Sequence, residues 1–176
     1  MSIRQNLTGV PDAIIKNRRA AEKNSMELNL FNQQIAEVKC SYSHSIKARN
    51  RAKVTSSDEA AKLVIPIWED IDYRETFAVL LLSRSNTVLG LSKIGTGGIS
   101  GVSVDVKLIF QAALLACSSS IIAVHNHPSG NLTASDADIK ITNKIKSAGV
   151  LLDISLLDHI IISSNGYLSM ADEGFM

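Results

Sequence analysis

Ser120-Ile-Ile-Ala-Val-His-Asn-His-Pro-Ser-Gly130 is the stretch from which the fold is read. The apolar run Ser120 to Val124 ends in a polar cluster, as expected of a buried strand that delivers side chains at its C-terminal edge. Residues two apart on a strand face the same way, so His125 and His127 project together, and Pro128 stops the strand there. Downstream, Ser135 caps a helix over roughly 136–147, closed by Gly149 at the C′ position. Leu151 to Ser163 reads as a strand, and Asn165-Gly166 turns it back into Tyr167-Leu168-Ser169. Upstream, Val106, Ile109, Phe110, Ala113, Leu114 and Cys117 recur at helical spacing, which predicts a helix from Ser103 to about Ala116. The segment Gly95 to Gly101 reads as a flexible connection. Before it, Glu75–Ser83 and Thr87–Lys93 form a hairpin of core strands around the turn-prone Arg84-Ser85-Asn86. A helix over about 57–69 opens with the capping box Ser56-x-x-Glu59, and Pro66 kinks or ends it early. Strands and helices alternate without a strict βαβ rhythm. The expected class is therefore α/β, a mixed β-sheet flanked by helices in an α-β-α arrangement.

A chain of 176 residues, 45% of them hydrophobic and 20% charged, is long enough to bury a sizeable core without staples. Its apolar runs, such as Phe77 to Leu82, are too short to span a bilayer, so no membrane role is expected. Met1 to Pro11 has neither an apolar h-region nor a small-residue cleavage site, and a cytoplasmic location is the expectation. Cys40 and Cys117 lie far apart with no C-x-x-C spacing, which predicts two free thiols, Cys117 within a core.

The net charge of +1 conceals an asymmetry. Residues 1–55 carry ten Lys or Arg against four Asp or Glu, whereas the remainder carries eight against thirteen. Residues 1–53 are therefore read as a basic N-terminal arm, with helical patterning over 12–33 and strand-like alternation from Ile35 to Tyr42. A weak nucleic-acid contact through phosphate neutralisation is one expectation for the arm. A solvated basic face is the other, because Arg18, Arg19, Lys47, Arg49, Arg51 and Lys53 are spread out with little aromatic interleaving. No glycine occurs between Gly9 and Gly90, which excludes a G-x-G-x-x-G phosphate cradle and a helix-hairpin-helix DNA clamp from that half.

Two imidazoles on one strand face can share a Zn²⁺ ion at about 2.0 to 2.1 Å each. Asp138, which follows His127 after ten intervening residues in the first turn of the next helix, is the candidate third ligand. Two histidines and an aspartate leave one position open, the pattern of catalytic rather than structural zinc. Two plainer readings stand beside this one. Ser135-x-x-Asp138 is also a capping box, and an H-x-H pair can be two exposed loop histidines.

These residues resemble a known family. His125-x-His127-Pro128 followed by Ser135-x-x-Asp138, with Glu75 opening an upstream hydrophobic strand, is similar to the JAMM (MPN+) metalloprotease motif of the JAB/MPN fold. Arg74-Glu-Thr-Phe77, His125-Asn-His-Pro-Ser-Gly130, Ser135-Asp-Ala-Asp138-Ile139 and Leu157-Asp-His-Ile-Ile161 together resemble its RadC-like branch, over about residues 54–174. The domain is accordingly placed at 54–176. The resemblance implies zinc held by His125, His127 and Asp138, with Glu75 taking a proton from the bound water and passing it to the leaving amine. Ser135 would donate a hydrogen bond to the oxyanion. The implied substrate is a peptide or protein, cleaved at a peptide or isopeptide bond, and a homodimer is an expected assembly. On its own, Glu75 reads as an edge carboxylate paired with Arg74 or Lys93.

His159 matches the family's D-H-I-I segment, and its apolar strand suits a buried structural histidine or a partner to a ligand. His44 reads as exposed, and Asn126, on the opposite face from its neighbours, as a loop tie. Two departures from the branch stand out: with no glycine between Gly9 and Gly90, the helix-hairpin-helix module of long members is not expected within these residues, and Ala134 replaces the usual Pro before the capping serine. Other metal hydrolases fit less well. An HNH nuclease spreads its three letters over a ββα element, an amidohydrolase barrel needs about 250 residues, and a metallo-β-lactamase needs Asp where Ser129 stands. Cytidine deaminases need P-C-x-x-C, which is absent. A different class of reading is a DNA-associated accessory protein whose zinc site is non-catalytic.

Overall fold

The computed structural model describes residues 41–43, 46–98 and 101–176. The expected arm helix over 12–33 and all but the last two residues of the expected strand from Ile35 to Tyr42, with Cys40 and His44, lie outside the described residues, and Ser41 and Tyr42 are not in a strand. Within Ser41–Met176 the elements are α1 (Ser57–Val64), β1 (Thr76–Leu82), β2 (Val88–Thr96), α2 (Val106–Leu115), β3 (Ser120–Asn126), α3 (Asp136–Leu151), β4 (Ser155–Ser163) and β5 (Gly166–Ser169). The five strands form one mixed sheet in the order β2-β1-β3-β4-β5. β1 pairs antiparallel with β2 and β3, β3 and β4 are parallel, and β5 returns antiparallel to β4.

Strand alternation separates two cores. Phe77, Val79, Leu81, Ile121 and Ala123 face α2 and α3, packing on Ile109, Phe110, Ala113 and Ile145. Leu80, Leu82, Ile122, Val124, Ile160 and Ile162 face the other way onto Ala60, Ala61 and Val64 of α1. Both faces of the central strands are covered, which is why β1 and β3 read as continuous apolar runs rather than half-solvated alternations. The result is the expected α-β-α layering.

Several local expectations are corrected. β2 continues to Thr96, so Gly95 and Thr96 belong to the strand rather than to the connection; Thr96 pairs with Thr76 and Gly95 with Phe77. α2 begins at Val106, because Asp105 rather than Ser103 caps it by accepting the Lys107 amide at 2.9 Å. Gly149 does not end α3. It lies inside the last turn because the chain folds back upon it, where an added Cβ would stand 2.3 Å from the Ile154 carbonyl oxygen. The following strand therefore starts only at Ser155. Cys117 is exposed rather than in a core: its φ of 53° reverses the chain just past α2, and Leu114 on the same helix is also exposed. α1 ends at Val64 and passes into a short 3₁₀ turn, Ile65–Ile67, because Pro66 has no N–H with which to continue the helix. Among the described residues no helix is long and apolar enough to cross a membrane.

Candidate metal centre

β3 places His125 on the sheet face that α2 and α3 cover, continuing the row Ile121, Ala123. His127 follows just past the strand end, where its amide donates to the Ile162 carbonyl at 2.9 Å and its carbonyl accepts from the Gly130 amide at 3.0 Å, closing a turn. Gly130 has a φ of 77°, and an added Cβ would lie 2.8 Å from the Asn165 amide nitrogen, so both its conformation and its surroundings favour glycine. This turn brings the start of α3 back over the strand end.

The two histidines and Asp138 converge. Nε2 of His125 lies 2.9 Å from Nε2 of His127 and 3.1 Å from Oδ1 of Asp138. Nε2 of His127 is 3.7 Å from Oδ2 of Asp138. Three potential ligand atoms, one from each residue, lie within 4.8 Å of one another. Tetrahedral ligands around one ion with bonds of about 2.0 to 2.1 Å stand about 3.3 Å apart, close to these separations. The donor set, two imidazole nitrogens and a carboxylate oxygen, suits a borderline transition ion. His125, His127 and Asp138 could therefore hold a metal ion.

Both plainer readings of the sequence are answered by this geometry. His125 is buried and His127 half-buried, so they are not loose loop histidines. The capping box is real, yet Asp138 divides its carboxylate between two tasks. Oδ2 accepts from the Ser135 amide at 2.7 Å and hydroxyl at 2.6 Å, while Oδ1 faces His125. The Ser135 hydroxyl accepts in turn from the Asp138 amide at 3.2 Å, which completes the box at the start of α3.

Electrostatics follow from this packing. Burial pushes the Asp138 carboxyl upward, but hydrogen bonds from His125, His127 and Ser135 outweigh it and hold the group ionised, well below the usual carboxylate range. The Asp138 carboxylate raises the His127 imidazole against the opposing effect of burial, with smaller help from the Asn131 carbonyl and the Glu75 charge. His127 Nδ1 donates to the Asn131 carbonyl at 2.7 Å, so its Nε2 is the nitrogen turned toward His125 and Asp138.

Glu75 sits immediately before β1, with its carbonyl accepting from the Gly97 amide at 2.7 Å. It lines one cleft of ≈ 810 Å³ together with His125, His127, Ser135 and Asp138. The alternative pairing of Glu75 with Lys93 is not formed, since Lys93 reaches Glu69 at 3.4 Å. Asn126, fully buried on the opposite face, ties down the segment that carries Glu75. Its Oδ1 accepts from the Thr76 amide at 2.7 Å, and its Nδ2 donates to the carbonyls of Ile71 at 2.7 Å and Arg74 at 2.8 Å.

Behind the histidine pair lies His159, wholly buried on β4, whose parallel register pairs it with Ala123. Its Nε2 is 2.8 Å from His125 Nδ1, and its Nδ1 is 2.6 Å from Thr142 Oγ1. Phe77 covers this layer, stacked on His125 at 6.0 Å and edge-on to His159 at 5.4 Å. Burial, then the neighbouring His125, pulls the His159 imidazole down to about 3, so it is neutral at ordinary pH. Thr142 is absent from the sequence-based site. Its only signal was its position four residues after Asp138, on the same helix face.

Comparison with other proteins agrees with this geometry. Residues 54–175 match the RadC-like JAB domain. A UPF0758 protein of Flavobacterium johnsoniae is 45% identical over 122 residues, 69% of this chain and 53% of that protein. UPF0758 proteins of Staphylococcus aureus (bovine strain) and Porphyromonas gingivalis are 40% and 39% identical over 72% of this chain and 55% and 56% of theirs. The chain thus spans about half the length of these curated relatives, whose names state no activity. With residues 54–175 matched and the five-stranded mixed sheet carrying the H-x-H…S-x-x-D cluster at its strand end, the chain belongs to the RadC-like JAB domain family.

Proposed function

We propose that the protein is a zinc-dependent hydrolase of the JAMM type that cleaves a peptide or isopeptide bond. The observation that carries this is the approach of His125 Nε2 to both His127 Nε2 and Asp138 Oδ1, at 2.9 and 3.1 Å, on the wall of an open cleft that Glu75 also lines. His125, His127 and Asp138 would hold the ion, which supplies a Lewis acid and lowers the pKa of a coordinated water toward about 7. Glu75 is the carboxylate available to take the proton of the attacking water and return it to the leaving nitrogen. Asn126 keeps that carboxylate's backbone in place through its three bonds to residues 71–76. Ser135 is the oxyanion donor in this scheme. Its hydroxyl proton points at Asp138, so serving the oxyanion requires exchanging that bond for one to substrate.

The test is metal content and cleavage measured together. Purified protein should carry one equivalent of zinc. His125→Ala and Asp138→Ala should lose it, and Glu75→Gln should keep the ion while abolishing turnover of peptide or isopeptide substrates. Equal metal content in the wild type and all three variants would overturn the assignment.

A second reading rests on one observation, the excess of six positive charges over residues 1–55. In it the protein is a DNA-associated accessory factor with a non-catalytic zinc site. Salt-dependent DNA binding that disappears when residues 1–55 are deleted would favour it. Either reading suits a cytoplasmic protein, with a homodimer as the proposed assembly.

A further inference from the structure

We infer that His159 and Thr142 form a buried proton-directing relay that joins two of the proposed ligands, His125 and Asp138, from behind and fixes which nitrogen of His125 faces the ion. This deepens the metal-site reading above and rests on it. The direction of the relay follows from what each atom can do. The Asp138 backbone carbonyl can only accept, so the 2.6 Å contact with Thr142 Oγ1 uses the hydroxyl's single proton. Thr142 Oγ1 can then only accept in its 2.6 Å contact with His159 Nδ1, which places the His159 proton on Nδ1. His159 Nε2 is left as a lone pair, and its 2.8 Å contact with His125 is a bond donated by His125 Nδ1–H. The lone pair with which His125 would hold an ion is thereby placed on Nε2, the atom that lies against His127 and Asp138, where the ion would take the place of the hydrogen bond from Nε2 to Asp138.

The relay closes into a ring. It leaves the centre through the His125 imidazole and returns through the backbone of Asp138, whose carboxylate is the other proposed ligand. β3, β4 and α3 are tied to one another at the level of the site. Both histidine ligands meet the requirement for orientation in different ways. His127 uses an exposed-side backbone carbonyl, that of Asn131, whereas His125 uses a buried neutral histidine that itself needs orienting. His159 and Thr142 are wholly buried and touch no cleft wall, so they are positioning residues, not catalytic ones.

The experiment combines long-range ¹H–¹⁵N spectra of the four histidines with zinc affinity from competition against a chromophoric chelator, on the full chain. In wild-type protein, with and without zinc, His159 should be the neutral Nδ1–H tautomer and His125 should keep its Nδ1 proton. Thr142→Val, which keeps the shape and removes the hydroxyl, should release the His159 tautomer and raise the zinc Kd about 10- to 100-fold. Thr142→Ser should restore both. A His159 proton on Nε2 in the wild type would overturn the relay, as would a Thr142→Val protein with altered Tm but unchanged tautomers and Kd. If Thr142→Val does not fold, the wild-type and Thr142→Ser spectra decide. Failure of the wild type to bind zinc would overturn the metal reading alone, with the metal-free tautomers still deciding the relay.

Discussion

The chain contains two helix caps of the same S-x-x-acid pattern, and the two have different fates. Ser56-x-x-Glu59 starts α1 and Ser135-x-x-Asp138 starts α3. In both, the serine hydroxyl accepts from the amide three residues on, at 3.2 Å. In both, the acid reaches back to the start of the helix, Glu59 to the Thr55 amide and hydroxyl, Asp138 to the Ser135 amide and hydroxyl. Locally they are close variants, since only Asp138 closes back on its own N-cap residue. Glu59, however, is exposed with no histidine on it, whereas Asp138 is folded against the end of β3, where its second oxygen meets His125. A short acid suits the second task, since one carboxylate can close the cap with one oxygen and offer the other to the neighbouring strand. The comparison teaches that a helix cap becomes a candidate ligand only through what the sheet brings to it.

Removing the acid separates the copies most sharply. Asp138→Asn should weaken zinc binding by more than about 100-fold, because it alters a ligand rather than a residue supporting one. Glu59→Gln should leave metal content unchanged, as measured on the same purified proteins by elemental analysis. Loss of zinc from both, or from neither, would break the comparison.

The proton the site would move gives the next effect. Glu75→Gln should lower turnover by about 10²- to 10⁴-fold, the usual contribution of a general base, with metal content intact. An acid outside the cleft serves as its control: Glu69→Gln removes only the exposed partner of Lys93 and should leave turnover within twofold of wild type. Steady-state rates on one substrate check both.

Removing the serines tests what the boxes share. Ser56→Ala and Ser135→Ala should each cost about 1 kcal/mol of stability in denaturant unfolding of the metal-free protein. Only Ser135→Ala should also weaken zinc binding, because it strips the Asp138 carboxylate of the hydroxyl that holds it. Equal effects on metal affinity would show the Ser135 bond to be a cap and nothing more.

The smallest effect is the pH dependence of the exposed copy. The Thr55 amide and then its hydroxyl hold the Glu59 carboxyl below its ordinary value. A carboxyl depressed in the folded state stabilises above its unfolded pKa, and that contribution fades as pH falls through the folded value. Wild type and Glu59→Gln should therefore differ in Tm near neutrality and converge as acidification passes through and below the ordinary carboxylate range. A gap that widens in acid would contradict the assigned bonds.

Much of this was legible in particular residues. Period and punctuation located every described strand, since Ile121 to Val124 and Phe77 to Leu82 are too apolar and too short for anything but covered strands. His125, His127 and Asp138 were named from spacing because i, i+2 on a strand and the first turn of the next helix leave little freedom over ten residues. Other features were not legible. Gly149 looked like a helix end, because a glycine required for its missing Cβ and one required for positive φ look identical in sequence. Cys117 looked like core, because helical periodicity continues on paper past the residue at which the chain reverses. Thr142 carried only its position four residues after Asp138, a weak signal because a threonine inside a helix ordinarily serves its own turn.

The sequence by itself determined the alternation of elements, the two-faced burial of the central strands, and the residue types able to ligate. Those depend on local geometry, on period and on the donor atoms a side chain carries. Only the tertiary structure decided that one cap of two faces a histidine pair, that Asn126 secures the segment bearing Glu75, and that His159 on β4 reaches Thr142 on α3. Such contacts depend on how the strands align and where α3 lies across the sheet, and both are set by the collective packing of two cores rather than by any short stretch of chain.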